Sequence, residues 1–510
     1  MGRNLKVIGW FVCLLVASGA RVAQEESSPV TSALWGVQGE AWTPQSRLPD
    51  FSFAGYHRGE DPIPTPPVTH NVRDFGAVGD GVTDDSDAFL AALAAMESGV
   101  LWVPEGRYRI SKVLRIDKPN VVLRGAGPEK SVFTIDVPLN DIEPNWGATT
   151  GGQRTSNYSW SGGFVAIGGK MTRNSVTPLL PTAKRGDRQI TVESADSLVV
   201  GETVELRQVD NETNSLAVHL YSDDPRTSVD KIRGRTDAAL IARIVAIDGD
   251  QVTLDRPLRF DLRAEWKPSL NRVEAEVTES GMEGLGFAFP NTPYQGHFTE
   301  LGYNAFTIQR AMHCWVRDIR VHNGDSGGFV RGTFNTVSGV VITSERQADK
   351  NRQSVGHHGI EASGDDNLIT DFDFQCAFIH DLTVSRCAGN VFSNGRGTDL
   401  SLDHHRRAPY ENLFTNLHVG KGARIWRCGG GQDLGAHCGA RGTFWNIRSD
   451  RPVTPPNKNF GPWSLNLVGV PMSVAPSMEA GKRWYEHVNG EPVHPENLHA
   501  AQYEARVKAE

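Results

Sequence analysis

The chain lacks an excess of positive charge. Its 60 aspartates and glutamates outnumber 52 lysines and arginines, for a formal net charge of −8. That argues against general nucleic-acid binding, which needs a basic footprint to release counterions. An anionic sugar substrate stays open, because a local patch can oppose the global sign. Cysteine is scarce, with six in 510 residues and no CxxC pair, so a cysteine zinc site has no support. No HxxxH spacing marks a helical histidine pair for a transition metal. Beyond the first twenty residues, no apolar run is long enough to cross a bilayer.

Those first twenty residues read as a signal peptide. Arg3 and Lys6 supply the positive start, Val7 to Ala17 the apolar core, and Ser18-Gly19-Ala20 the small residues for cleavage. The expectation is an exported protein, and cleavage makes the mature chain two charges more acidic. Cys13 leaves with the leader. The remaining Cys314, Cys376, Cys387, Cys428 and Cys438 are odd in number, so at least one stays outside any intrachain disulfide. A content of 39% hydrophobic and 22% charged residues is globular, and 53 glycines imply many tight turns and more strand than helix.

Residues 21–70, rich in proline and aromatics, read as an extended arm on the main body. From Asn71 the pattern changes to "NVRDFGAVGDGVTDDSDAFLAALAAMESG". Thr83 or Asp84 offers a helix cap, and Ala88, Leu90, Ala91, Leu93 and Ala94 an apolar face. Short β-type runs follow, "GVLWVPEGRYRI", "KVLRI" and "NVVLRGAG", divided by turn residues. Over residues 71–137 this series resembles the amino-terminal region of the pectate-lyase-like superfamily. The resemblance implies an all-β fold, a right-handed parallel β-helix with an N-terminal capping helix. It does not choose a reaction, because lyases, hydrolases, epimerases and phage tailspikes share this start.

The second half points to a solenoid independently. Ile319, Val340, Ile360, Leu382, Leu402, Ile425 and Ile447 recur in hydrophobic-x-hydrophobic runs at steps of 21, 20, 22, 20, 23 and 22 residues. A period of that size marks stacked repeats. Strand alternation then turns Arg320, Val341, Glu361, Thr383, Asp403, Trp426 and Arg448 outward in one column. The expected organisation is a cap and first coils over 71–185, a β-rich insertion over 186–261 with a turn at "DGD", and coils carrying the site over 262–450. A C-terminal extension over 451–510 ends in a helix covering the last coil.

Ten of sixteen histidines fall between His297 and His437. With adjacent rungs about 4.8 Å apart, "GHHGIE", "FIHDLTV" and "LDHHRR" should gather histidines on one patch. The candidate catalytic residues are His358, His380, His405 and Arg406. The candidate substrate-binding residues are His357, Glu361, Asp403, His404, Arg407, Tyr410, Arg424 and Trp426. The chemistry that fits is β-elimination on an acidic polysaccharide. Arginine holds the uronate carboxylate, histidine takes and returns the proton, and Tyr410 and Trp426 stack on sugar rings.

Rival readings remain. A glycoside hydrolase needs two carboxylates, and Glu361 with Asp403, two rungs apart, would lie about 9–10 Å from each other. Polygalacturonase-type hydrolases of the superfamily carry an ordered motif set from which this chain departs: "GHHG" precedes "GDD" and no Arg-Ile-Lys follows. A calcium-assisted lyase or an epimerase would use Asp365, Asp366, Asp371 and Asp373, which also fit an ordinary polar turn. A non-catalytic glycan binder is the third alternative.

Overall fold

The computed structural model describes residues 1–2, 30–476, 484–486 and 491–509. The leader expected over 1–20 lies, apart from its first two residues, outside them. The chain winds as a parallel β-helix with two long sheets; the second ends at the strand Leu402–His404, and the last coils add strands to the longer sheet alone. In the longer sheet one inward column runs through Leu101, Leu123, Met282, Val316, Val337, Ile369, Phe392, Phe414, Phe444 and Leu467, pair by pair in register. All ten belong to one continuous core. Phe392 and Phe414 stack at 4.8 Å between ring centroids, and Phe414 and Phe444 at 5.5 Å, so aromatic faces follow the rung spacing.

The second sheet carries the site. Its strands β1 (Asn304–Met312), β2 (Ser326–Thr333), β3 (His358–Ala362), β4 (His380–Val384) and β5 (Leu402–His404) pair in parallel and in chain order. Phe306, Gly328, Ile360, Leu382 and Leu402 form its inward column.

The single outward column expected from the period divides between the two sheets. Arg320 and Val341 stand on the long sheet, followed rung by rung by Asp373, Arg396, His418 and Arg448. Glu361, Thr383 and Asp403 stand on the second sheet. Residues 344–357 loop out between strand Thr336–Thr343 and β3, so a step of ordinary length there passes from one sheet to the other. Ile425 lies in no strand at all.

A corner of the solenoid is pinned by stacked asparagines. The amide of Asn335 donates to Oδ1 of Asn367 at 3.0 Å, Asn367 to Asn390 at 3.0 Å, and Asn390 to Asn412 at 3.2 Å. Each accepting Oδ1 also takes the backbone N–H of the preceding asparagine. Every one of these side chains is buried. Such a closed chain of bonds leaves no polar group stranded and fixes the register of successive coils.

Helix α1 (Ser86–Ala95) closes one end, burying Phe89, Ala92 and, of the expected face, Leu93. Ala88 and Leu90 pack partly buried against the core, Ala91 and Ala94 are exposed, and Asp85 rather than Thr83 or Asp84 stands at the N-cap. Helix α2 (Leu498–Ala509) lies beside the last coils, where Leu498 joins Leu413, Trp445 and Val468 on the outer face of the long sheet together with arm residues Leu34, Trp35 and Phe51. The antiparallel insertion sheet reaches from Met171 to Ala275, wider than expected, because its flanking strand Met171–Pro178 is polar and nearly unpatterned. The "DGD" hairpin forms at Gly249, where φ is 56°.

The aspartates considered for calcium are engaged otherwise. Asp366 is clamped by two buried insertion guanidiniums, Arg256 at 2.8 Å and Arg259 at 3.0 Å. Asp373 pairs with Arg396 at 2.8 Å. Burial, with the neighbouring Asp366 charge, pushes the Asp365 carboxyl up to about 7, although its Oδ1 accepts the Ala388 N–H at 2.7 Å. The five cysteines among the described residues are all free thiols.

Two stability predictions follow from this joint. Asp366→Ala strips Arg256 of its carboxylate and leaves buried Arg259 with only Glu411, at 3.8 Å, and should cost about 3–5 kcal/mol in denaturant unfolding; a loss under about 1 kcal/mol would contradict the clamp. Because Asp365 binds its proton more tightly folded than unfolded, its contribution is fully present below the ordinary aspartate range and is lost as pH rises toward about 7. Melting Asp365→Asn beside the parent should therefore show the variant gaining relative stability from acidic to neutral pH. Parallel curves would refute the assignment.

Candidate active site

The strand starts bring the histidines together. His358 pairs with His380 on the adjacent rung, and Val384 with His404 on the next. Ring centroids of His357 and His358 are 4.3 Å apart, His358 and His380 5.1 Å, His357 and His380 5.4 Å, and His380 and His405 5.2 Å. A fifth imidazole, His297, enters from the loop before β1, 5.7 Å from His380. Sequence reasoning did not assign it a role, since no periodic pattern surrounds "GHFTE"; the one available signal was that the histidine excess begins there.

Carboxylates stand behind these rings. Asp403, fully buried, holds Oδ2 at 2.9 Å from Nδ1 of His405 and 3.1 Å from Nδ1 of His380, while Oδ1 accepts the Gly429 N–H at 2.7 Å. Glu300 faces Nδ1 of His357 at 3.4 Å and accepts a short hydrogen bond from the Tyr294 hydroxyl. Against the burial that opposes ionisation, the His357 ring and Tyr294 hold Glu300 at about 2. Burial, with neighbouring rings, depresses His297 to about 2 and pushes His358 well down. Burial also brings His380 to about 4 despite Asp403. In His405 the order reverses: burial is outweighed by Asp403, and the imidazole sits above its ordinary value.

Exposure separates the rings. The His405 side chain is 34% exposed, against 3% for His357 and 4% for His380. Among the described residues, Nε2 of His380 is buried with no hydrogen-bond partner. Leaving such a group unsatisfied costs about 1–3 kcal/mol.

Other expected residues fall elsewhere. His404 has the parity of Val384 and so turns inward, its ring packed within 5.5 Å of Phe414, Phe444 and Phe460. Tyr410 is buried in the core between solenoid and insertion, where it cannot stack on sugar. Trp426 packs edge-on against Phe444 at 5.0 Å and donates to the Thr454 carbonyl at 2.6 Å. Arg424 braces a corner through Asp381 at 2.5 Å and the Phe378 carbonyl at 2.7 Å. Arg406 reaches the Gly435 carbonyl and Nε2 of His437, tying down the wall loop rather than facing the cluster. Glu361 stays on the outer face, paired with Arg331 at 3.0 Å. Arg407 is exposed and lines a cavity of about 260 Å³ against the insertion, with Arg173, Arg331 and Arg386.

Comparison with known proteins is consistent with the fold. Residues 69–137 match the family described as rhamnogalacturonase A/epimerase, pectate lyase-like. Over those residues the start of the solenoid is similar to that family. Alginate lyase 7 of Azotobacter vinelandii is 31% identical over 142 residues, 25% of this chain and 17% of that protein. Mannuronan C5-epimerase AlgE5 of the same organism is 30% identical over 145 residues, 25% of this chain and 14% of its own. The chain thus spans less than a fifth of these relatives' lengths. The tailspike gp49 of Pseudomonas phage LKA1 superposes with a TM-score of 0.46 at 12% identity, over 78% of this chain and 70% of that one. The pectate-lyase-like match ends before the histidine cluster, so the site is read from its own geometry. Among the described residues, no helix is long and apolar enough to cross a membrane.

Gly429 supplies a direct check on that geometry. A Cβ there would overlap Cε1 of His405 and lie 2.7 Å from Cε1 of His380. Gly429→Ala should displace both rings, seen as shifted imidazole resonances for His380 and His405, while the melting temperature changes little. Unchanged resonances would mean the loop does not close on the rings.

Proposed function

We propose that this chain is an exported polysaccharide lyase acting on a uronate-containing glycan, with His405 as the group that moves the proton. The observation that carries the reading is the His405–Asp403 dyad. It stands on the outer face of a parallel β-helix, with Nδ1 of His405 committed to a buried carboxylate and the ring edge open to solvent. Asp403 fixes the tautomer and stabilises the imidazolium, leaving Nε2 to act.

In the reaction, His405 Nε2 takes the proton from C5 of the uronate. The C5–H electron pair forms the C4–C5 double bond, and the C4–O4 bond breaks with its pair going to O4. The imidazolium proton is then available to the leaving oxygen. Arg407, in the cavity beside the cluster and near enough for its charge to act on the His405 ring, supplies a cation for the substrate carboxylate. An alginate lyase and a mannuronan epimerase among the relatives of the first coils support a uronan as substrate.

The hydrolase alternative is less well supported. Asp403 has its oxygens occupied by His380, His405 and the Gly429 amide, and Glu361 is paired with Arg331, so neither stands free to protonate or attack. An epimerase would share the proton abstraction and differ in returning the proton to C5.

Incubating the protein with pectin, alginate, glucuronan and ulvan while following absorbance of unsaturated uronate ends tests the reading. One of them should release such ends, and His405→Ala should lower kcat by about 10²–10⁴-fold with an unchanged melt. New reducing ends without that absorbance would establish a hydrolase instead, and binding without either signal a non-catalytic binder.

A further inference from the structure

We propose that His297, His357 and His380 form a three-histidine site for a divalent transition-metal ion of the zinc class, with Glu300 and Asp403 as its supporting carboxylates. Nitrogens of the three rings lie within 4.8 Å of one another. Nε2 of His297 and Nε2 of His357 are 3.0 Å apart. Zinc–nitrogen bonds of about 2.0–2.1 Å in tetrahedral geometry require nitrogens about 3.3 Å apart, so a shift of a few tenths of an ångström at this pair would accommodate the ion.

A simple imidazole–imidazole hydrogen bond would explain that pair alone. It does not explain His380, a ring of the same group whose Nδ1 and Nε2 are both buried without a hydrogen-bond partner among the described residues. The outer nitrogens complete the pattern. Nδ1 of His357 lies 3.4 Å from Glu300 and Nδ1 of His380 3.1 Å from Asp403, ion-pair distances without hydrogen-bond alignment. A carboxylate behind each ligating ring is how metal sites orient imidazoles and raise their basicity. All-nitrogen ligation favours zinc, cobalt, nickel or copper over calcium or magnesium, which take oxygen ligands.

Three ligands leave a coordination position open, as in catalytic rather than structural zinc sites. A cation there, beside His405, would meet the carboxylate of a bound uronate. That last step alone rests on the lyase reading; the metal site does not.

The test uses the full mature chain with any affinity tag removed. The protein is stripped with chelator, titrated with Co²⁺ and Zn²⁺, and read by calorimetry, by metal content after gel filtration and by the visible absorption of bound cobalt. About one equivalent should bind, with a tetrahedral or five-coordinate cobalt spectrum. His297→Ala, chosen because this loop residue is only partly buried, should weaken binding at least 100-fold with an unchanged melt. Glu300→Gln should weaken it about 10–100-fold. His418→Ala, on the outer face of the other sheet, should bind as the parent does. No retained metal in the parent, or equal affinity in His297→Ala and parent, would overturn the site. If metal binds and no glycan is cleaved, the lyase reading fails while the site stands; if glycan is cleaved by protein that retains no metal after titration, the site fails while the lyase reading stands.

Discussion

Parallel register is the constraint on which the rest depends. Each coil returns its strand about 4.8 Å above the last, so residues more than twenty positions apart become lateral neighbours. The asparagine stack at Asn335, Asn367, Asn390 and Asn412 holds that register, since slippage at any rung would strand a buried amide. His358 and His380 meet for the same reason that Phe392 and Phe414 meet. The chemistry at the site is therefore a by-product of packing regularity and is only as well positioned as the coils beneath it.

Charged clamps do the complementary work of fixing additions to that framework. The insertion is tied through Arg256 and Arg259 to Asp366, next to the asparagine corner. Glu411 gathers Arg185 from the insertion and Arg441 from the loop beyond the site at 2.8 and 2.6 Å. Arg256 and Arg506, from the insertion and the last helix, both stack on Phe53 of the arm, at 4.5 and 4.2 Å. Buried ion pairs of this kind add specificity of docking more than net stability. They hold the walls around an outer face that would otherwise be open.

The architecture was legible because a hydrophobic period of about twenty residues is a direct imprint of coil length. Legibility ended where coil length changes. The loop over 344–357 moved the apparent column from one sheet to the other, which merged two real ladders into one imagined ladder. The convergence of His357, His358, His380 and His405 survived that error because all four lie on the rungs from β3 to β5, where spacing is regular. Parity decided the failures: His404 shares the inward sense of Val384, and Tyr410 and Trp426 fall past the strand into cores. His297 and Glu300 come from a loop with no repeat, so beyond the histidine excess that starts at His297, three-dimensional proximity reveals them.

A crystal structure measures the central claim most directly, through the separations of the imidazole rings. The rings of His357, His358 and His380 should lie about 4–6 Å apart on one outer face, with Asp403 buried behind them, as expected of side chains on neighbouring rungs. Rings spread over different faces, or Asp403 turned to solvent away from His380 and His405, would contradict it.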